Sequence, residues 1–479
     1  MQADWPILTP YAILALAGGL VFCLGGFWRD RPAGFLWWLA LAAAVASGLA
    51  ALNGPARGEY LGLLDAGLYG RLFVCLIALL TVLTLLLLRT YASARDLGGE
   101  VLYGLVLLAA LGMMLAAAAV NWLVFFLGLQ MLSVCLYVLI SVRREADSSL
   151  EAGLKYFCLG ATAGAVVVFG IAMLYAAGGE LAIGPGLAKA MHSGHGGLAL
   201  LGLGLVLVGL AFKISLAPLH VWTPDVFQGA PAPISGFLAA GSKTAAAALL
   251  IRLCAVLPAD LWSHWMPALW MLAALTMVVA NVSALREDRA KRLLAFSSAA
   301  QMGYLVMALV GARHGGLGAA LFFLAVYALM DLGVFGLLGV LSPLRTDLDR
   351  LRDMRGLARA FPWRAGLMVL FLLSLAGLPP TGGFVGKIML FTAAISSGHA
   401  VLAVLGAVSA AAAFYYYFKL AATLYMEAPG EDSPLTAIPA RPSPAGGLAL
   451  GVIAAALLEL GLFPNWLHSL ATAALGSLS

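Results

Sequence analysis

Five lysines occupy positions where charged side chains are rare. Lys155, Lys213, Lys243, Lys387 and Lys419 fall inside long apolar runs, whereas Lys189 and Lys291 fall between runs. A charge at the centre of a membrane span costs at least about 2.5–3.5 kcal/mol on insertion scales. Such a group is either kept for chemistry or lifts its ammonium to the interface along its own methylene stem. Lys155, near the start of its run, and Lys419, near the end of its run, fit the second reading. Lys213, Lys243 and Lys387 lie deeper, and the first and last adjoin prolines that break a helix. The chemistry suited to a buried lysine is proton transfer, because removal from water makes an ammonium a readier donor that a neighbouring charge can toggle.

Three further groups bear on that chemistry. Lys213 and His220 stand at i and i+7, so on an unbroken helix they share a face. His220 then reads either as an uptake relay or as a satisfied structural histidine. Asp331 is central to the run around VYALMDLGVF, and Glu459 lies toward the end of the last run. Asp331 is either a working carboxylate or a protonated acid bonded to a neighbouring helix. Glu151, four residues before Lys155, offers a helix-end ion pair.

The elements that must hold these residues are membrane helices. The 479 residues are 63% apolar and 10% charged, with a mean hydropathy of +1.00, a balance that no water-exposed surface carries. With about 20 apolar residues needed per crossing, spans are placed at 8–27, 34–53, 68–90, 100–118, 120–141, 152–178 and 198–221. They continue at 232–257, 264–285, 292–312, 315–341, 363–397, 399–426 and 444–470. The fold class is therefore all-α integral membrane, a single polytopic domain over 1–479 with fourteen spans. The run from Leu8 lacks a basic start and a small-residue cleavage site, and reads as a span that is kept.

Loops after odd-numbered spans hold seventeen Lys and Arg residues and those after even-numbered spans five, Arg252 among them. Positive loops stay in the cytoplasm, which places both termini in the periplasm of a cell inner membrane. The net charge of +5 has the same origin and implies no nucleic acid. The five cysteines are scattered with no CxxC pair, which gives no support to a disulfide framework, metal site or iron–sulfur site. Irregular helices are expected at Pro218, at Pro231 and Pro233, and at the GLPPTGG stretch from Gly377 to Gly383. Unwound backbone at membrane depth is tolerated where it lines a protein cavity, and paired broken helices mark ion pathways.

The stretch LAFKISLAPLHVWTPDVFQGAPAPISGFLAAGSK, Leu210 to Lys243, resembles the N-type antiporter-like subunits of proton-pumping NADH:quinone oxidoreductases. So do KRLLAFSSAAQMGY from Lys291, SLAGLPPTGGFVGK ending at Lys387, and FYYYFKLA around Lys419. The VFQGAPAPIS element separates this type from its paralogues and from multisubunit sodium/proton antiporters.

The resemblance implies two inverted five-helix repeats, spans 4–8 and 9–13, with corresponding broken helices 7 and 12. Two half-channel regions follow, 118–257 and 264–426. The family's lysines map onto Lys155, Lys213, Lys243 and Lys387, with protons entering at Lys213, relayed at Lys243 and leaving through Lys387. The partners implied are the other membrane subunits of the respiratory complex, the bilayer and protons. This chain carries no cofactor on that reading; flavin, iron–sulfur clusters, NADH and quinone belong to other subunits. The sequence departs from the family pattern at Gln130, where a span-five glutamate is usual, at Gln301, where a histidine is common, and at Asp331, where Thr or Ser is usual. A neutral amide cannot toggle a lysine by charge. The alternatives are a cation/proton antiporter subunit and a related complex fed by ferredoxin, a deazaflavin or hydrogen.

Overall fold

The computed structural model describes residues 5–27, 34–54, 58–95, 97, 99–192, 194–342, 347–426, 435, 438 and 443–478. The first half begins with α1 (Trp5–Phe27), α2 (Phe35–Leu52) and a two-stranded turn, β1 (Glu59–Tyr60) against β2 (Leu64–Asp65). There follow α3 (Leu68–Ser93), α4 (Gly99–Ala118), α5 (Trp122–Ile140), α6 (Asp147–Gly178), the short α7 (Ile183–His192) and α8 (Gly196–Lys213). Next come α9 (Thr223–Gly229), α10 (Ala232–Phe237), a π-helical segment (Leu238–Ser242) and α11 (Lys243–Val256).

The second half comprises α12 (Ala259–Leu285), α13 (Ala290–Val310), α14 (Gly316–Leu341), the one-turn α15 (Leu357–Ala360), α16 (Pro362–Ala376) and α17 (Gly382–Ser396). It closes with α18 (Ala400–Tyr425), α19 (Pro444–Leu462) and α20 (Asn465–Gly476). Among the described residues thirteen helical stretches are long and apolar enough to cross a membrane, and α16 with α17 forms a further pass in two halves.

The helices sort into a sheath and a centre. The continuous stretch α10 to α11, together with α13 and α14, is buried over nearly all of its length, whereas α1 and α6 turn most of their surface outward. Without a hydrophobic drive between helices in lipid, close approach depends on small residues. At the α4–α5 crossing a Cβ on Gly112 would come within 2.6 Å of the Leu132 nitrogen, and one on Gly128 within 2.6 Å of the Ala116 nitrogen. The two glycines let the backbones touch.

Several sequence expectations change here. Span seven was placed to residue 221, but α8 stops at Lys213 and the chain turns through Ser215 with φ of 64°. Pro231 and Pro233 interrupt nothing: they stand before and inside the first turn of α10, where a missing N–H costs no hydrogen bond. The irregularity of that span is the proline-free π-helical segment that begins at Leu238, five residues after Pro233. Span fourteen ends at Leu462, and α20 is a separate helix.

Two charges assigned to loops are buried in helices. Lys291 is 1% exposed in the first turn of α13 and donates to Asp347 Oδ2 at 2.8 Å and the Ala230 carbonyl at 2.5 Å. Asp347 also accepts from the Tyr91 hydroxyl at 2.6 Å, with Arg95 at 3.5 Å and Arg143 at 3.6 Å. Burial alone would raise the Asp347 carboxyl, but Lys291, Tyr91 and Arg143 outweigh it and hold it below the ordinary range. Arg252 is buried in α11 and pairs with Asp65 of β2. Each charge is removed from water only because an opposite charge arrives from a distant segment.

The α4–α5 contact leads to a stability prediction. Gly112→Val forces the two backbones apart and is expected to cost about 1–3 kcal/mol. A lower thermal midpoint and lower yield of purified chain would follow, with Leu111→Val, on the same helix, as the mild comparison.

Candidate functional site

Lys213 is the last residue of α8, where exposed helix carbonyls favour a cation. Its side chain leaves that helix and points at two neighbours. Nζ donates to Ser133 Oγ of α5 and to the Tyr156 hydroxyl of α6, both at 2.9 Å. The ammonium also lies 5.1 Å from the Tyr156 ring centre. The backbone freed by the break is taken up nearby: the Ala217 N–H donates to Thr276 Oγ1 at 2.9 Å and the Trp222 indole N–H to the Phe212 carbonyl at 3.1 Å. Gln130, one turn before Ser133, packs against α6, since a Cβ on Gly164 would meet its Nε2 at 2.8 Å.

Lys243 follows the π-helical segment directly and is 1% exposed. Its Nζ donates to Ser298 Oγ of α13 at 2.7 Å. Ser298 in turn lies 2.8 Å from the Tyr327 hydroxyl of α14, which donates to the Ala239 carbonyl at 3.2 Å. A π-helical turn shifts the regular hydrogen-bond ladder, and Tyr327 satisfies a carbonyl inside it. Asp331 stands one turn beyond Tyr327, fully buried, beside the Ser298 and Tyr327 hydroxyls and within the field of Lys243. Its Oδ2 has no hydrogen-bond partner among the described residues. Lys243 is its electrostatic neighbour, reached through Ser298 rather than by a direct ion pair.

Lys387 sits in α17 and reaches back to the end of α16. That helix ends at Gly377 with φ of 84°, where the N–H groups of Gly377 and Leu378 engage the Leu373 and Ser374 carbonyls. The next two carbonyls are left over, and Lys387 Nζ donates to both, Leu375 at 2.7 Å and Ala376 at 2.9 Å. Gly377 is needed twice: for its positive φ, and because a Cβ there would lie 2.6 Å from Lys387 Cδ. Gln301 donates to the same Leu375 carbonyl at 2.9 Å and to the Tyr417 hydroxyl at 3.2 Å. Tyr417 bonds Ser297, the residue before Ser298.

These contacts bring the three lysines onto one polar line. Tyr156 neighbours Ser242, which precedes Lys243 in the chain. From Lys243 the line runs through Ser298 to the adjacent Ser297, then Tyr417, Gln301 and the Leu375 carbonyl to Lys387.

The remaining candidates fall outside the line. Lys155 is 42% exposed at its side chain and pairs with Glu151 at 2.6 Å and Asp225 at 2.8 Å. Burial alone would raise the Asp225 carboxyl, but bonds from Lys155 and Arg292 hold it low. Lys419 pairs with Asp288 at 3.0 Å near the surface, and Glu459 accepts from the Trp466 indole at 2.6 Å. His220 does not share a face with Lys213, because the helix ends between them; it faces Phe296 and lies in the field of Lys243. The hydroxyls of Ser133, Tyr156, Ser298 and Tyr327 were not read from the sequence, although Ser298 lies in the quoted KRLLAFSS stretch. No group of three potential metal-ligating side chains occurs among the described residues.

The family described as NADH:quinone oxidoreductase/Mrp antiporter, transmembrane, matches residues 119–412. NADH-quinone oxidoreductase subunit N 1 of Solidesulfovibrio magneticus is 46% identical, over 96% of each chain. Subunit N of Geobacter metallireducens is 41% identical, over 98% of each. A chain of respiratory complex I from Thermus thermophilus superposes with a TM-score of 0.80 at 35% identity, covering 96% of this chain and 98% of that one. A chain of the Mrp complex from Dietzia has the same fold, with a TM-score of 0.82 at 21% identity over 100% of this chain and 98% of that one. The matched length, the level of identity and the shared fold together place this multi-pass membrane chain in the NADH-quinone oxidoreductase subunit N family.

Proposed function

We propose that this chain is the proton-translocating, non-redox membrane subunit of an NADH:quinone oxidoreductase. The observation that carries the reading is the buried line from Lys213 through Lys243 to Lys387. The hydroxyls beside Lys213 and Lys243 can each accept one proton while releasing another. On the way to Lys387 the Gln301 amide and the Leu375 carbonyl orient the ammonium and carry no proton themselves, so that leg needs water between Tyr417 and Lys387. On this reading Lys213 takes up a proton, Lys243 relays it and Lys387 releases it, driven by quinone reduction in partner subunits. Flavin, iron–sulfur clusters and quinone sit on those partners. The regions 118–257 and 264–426 are the two half-channels, each holding a lysine at a broken helix, Lys213 at the end of α8 and Lys387 beside the α16–α17 break.

Asp331 supplies the charge that Gln130 cannot. It is a buried acid close to the central lysine, and the hydroxyls of Ser298 and Tyr327 stand between the two. Lys155 and His220 act at the margin of the path, Lys155 as part of an ion-pair cluster and His220 on the unwound segment before α9. The Arg-rich turns at Arg289 and Arg352 face the cytoplasm and both termini face the periplasm, as the loop charge asymmetry requires.

Three measurements test this reading. Lys213→Met, Lys243→Met and Lys387→Met should each lower protons pumped per electron in an assembled complex by several-fold; normal pumping in all three removes the core of the proposal. Asp331→Asn keeps size but loses charge, so pumping should fall, with partial recovery when Gln130→Glu is added. Unchanged pumping in Asp331→Asn assigns that acid to hydrogen bonding alone. A cysteine placed at Arg352 should react with an impermeant maleimide only from the cytoplasmic side, and periplasmic labelling overturns the orientation.

A further inference from the structure

Away from the lysine line, an open cavity of about 500 Å³ lies between the start of α13, the turn after α14 and the last turns of α18. Five of its lining side chains are cations, Arg289, Arg350, Arg352, Arg355 and Lys419, against one acid, Asp288. Three carboxylates stand in pairs with them: Asp288 with Lys419 at 3.0 Å, Asp349 with Arg289 at 2.9 Å and Asp353 with Arg352 at 3.7 Å. Among the described residues that line the cavity or pair with its lining, cations still outnumber acids. Arg350, Arg352 and Arg355 are all exposed and approach the cavity from one short turn.

The cavity is not simply a solvated basic face, because one wall continues into an exposed apolar surface. Lys419 and Thr423, one turn apart on α18, line it. Beside them on the same helix Tyr415, Phe418 and Met426 are 62%, 53% and 81% exposed. Trp363, at the start of α16, which packs on α18, is 88% exposed. Exposed aromatic rings at the end of a span mark the headgroup level of a bilayer.

We infer that this cavity binds the phosphate headgroup of an anionic phospholipid, whose acyl chains lie along the exposed stripe of α18. A guanidinium presents paired N–H donors that match two phosphate oxygens, and several arginines converging from one turn suit a single phosphodiester. Basic pockets between helices on the cytoplasmic side are where such headgroups collect, since that leaflet is negatively charged. A free anion has no use for the apolar stripe. The choice of leaflet rests on the orientation proposed above, and the binding chemistry does not.

The test uses the assembled complex, washed in detergent, with retained phosphatidylglycerol and phosphatidylcholine counted by mass spectrometry. Arg350→Gln with Arg355→Gln should lose about one phosphatidylglycerol per complex and leave phosphatidylcholine unchanged. Asp288→Asn, which removes the lining acid, should retain more, and it keeps the test open if the double variant fails to assemble. Equal phosphatidylglycerol in parent and variants overturns the site. So does complete displacement by millimolar inorganic phosphate, which identifies a free-anion site. A carbodiimide crosslink from Lys419 to a neighbouring subunit, or to this chain's Glu427, Glu431 or Asp432, would assign the cavity to an acidic protein segment and also overturn the proposal.

Discussion

The Lys243 ammonium has to find acceptors in the middle of a lipid-surrounded bundle, and much of the interior is arranged to supply them. The nearest acceptor is a serine hydroxyl on α13. That hydroxyl is oriented by a tyrosine on α14, and the tyrosine is anchored on a carbonyl of the π-helical segment that precedes the lysine. The loop is closed: the backbone irregularity that sets Lys243 in place is itself satisfied by the second residue of the lysine's own hydrogen-bond chain. An unmet polar group costs several kcal/mol at this depth, so the three helices are tied to one register. All three are buried over nearly all of their length, which keeps that chain away from lipid.

The two outer lysines solve the same problem differently. At Lys213 the broken helix keeps its own backbone satisfied, and the ammonium is met by hydroxyls from α5 and α6. At Lys387 the glycine-terminated end of α16 consumes two of its last carbonyls internally and leaves two, and the ammonium takes those. One lysine is therefore held by side chains that can both give and accept a proton, the other by carbonyls that can only accept hydrogen bonds. The amide of Gln301 shares a carbonyl with Lys387, which brings a neutral donor close to the ammonium without adding charge.

Near the helix ends, charge is gathered into ion-pair clusters. Asp347 gathers Lys291, Arg95, Arg143 and Tyr91 from α13, the end of α3 and the turn after α5. Asp225 draws Lys155 and Arg292 together in the same way. These clusters fix the arginine-rich ends of the helices, and the basic cavity by α18 lies next to them.

The sequence alone determined the membrane class and showed lysines lying inside apolar runs. Apolar runs of membrane length and isolated charges within them are local signals, legible because lipid penalises every exception. It also marked the break after Lys213 and the glycine-rich break before Lys387, since proline and glycine act on their own backbone. Tertiary structure decided what those signals could not reach. Whether a lysine is sunk like Lys291 or surfaced like Lys155 depends on carboxylates 56 and 70 residues away. The π-helical turn before Lys243 has no proline to announce it, and it persists because Tyr327, 88 residues on, caps its carbonyl. The helix break separated His220 from Lys213, and packing alone brought Asp331 to Lys243. Periodicity describes one helix at a time, whereas a buried charge is satisfied by whichever helices surround it.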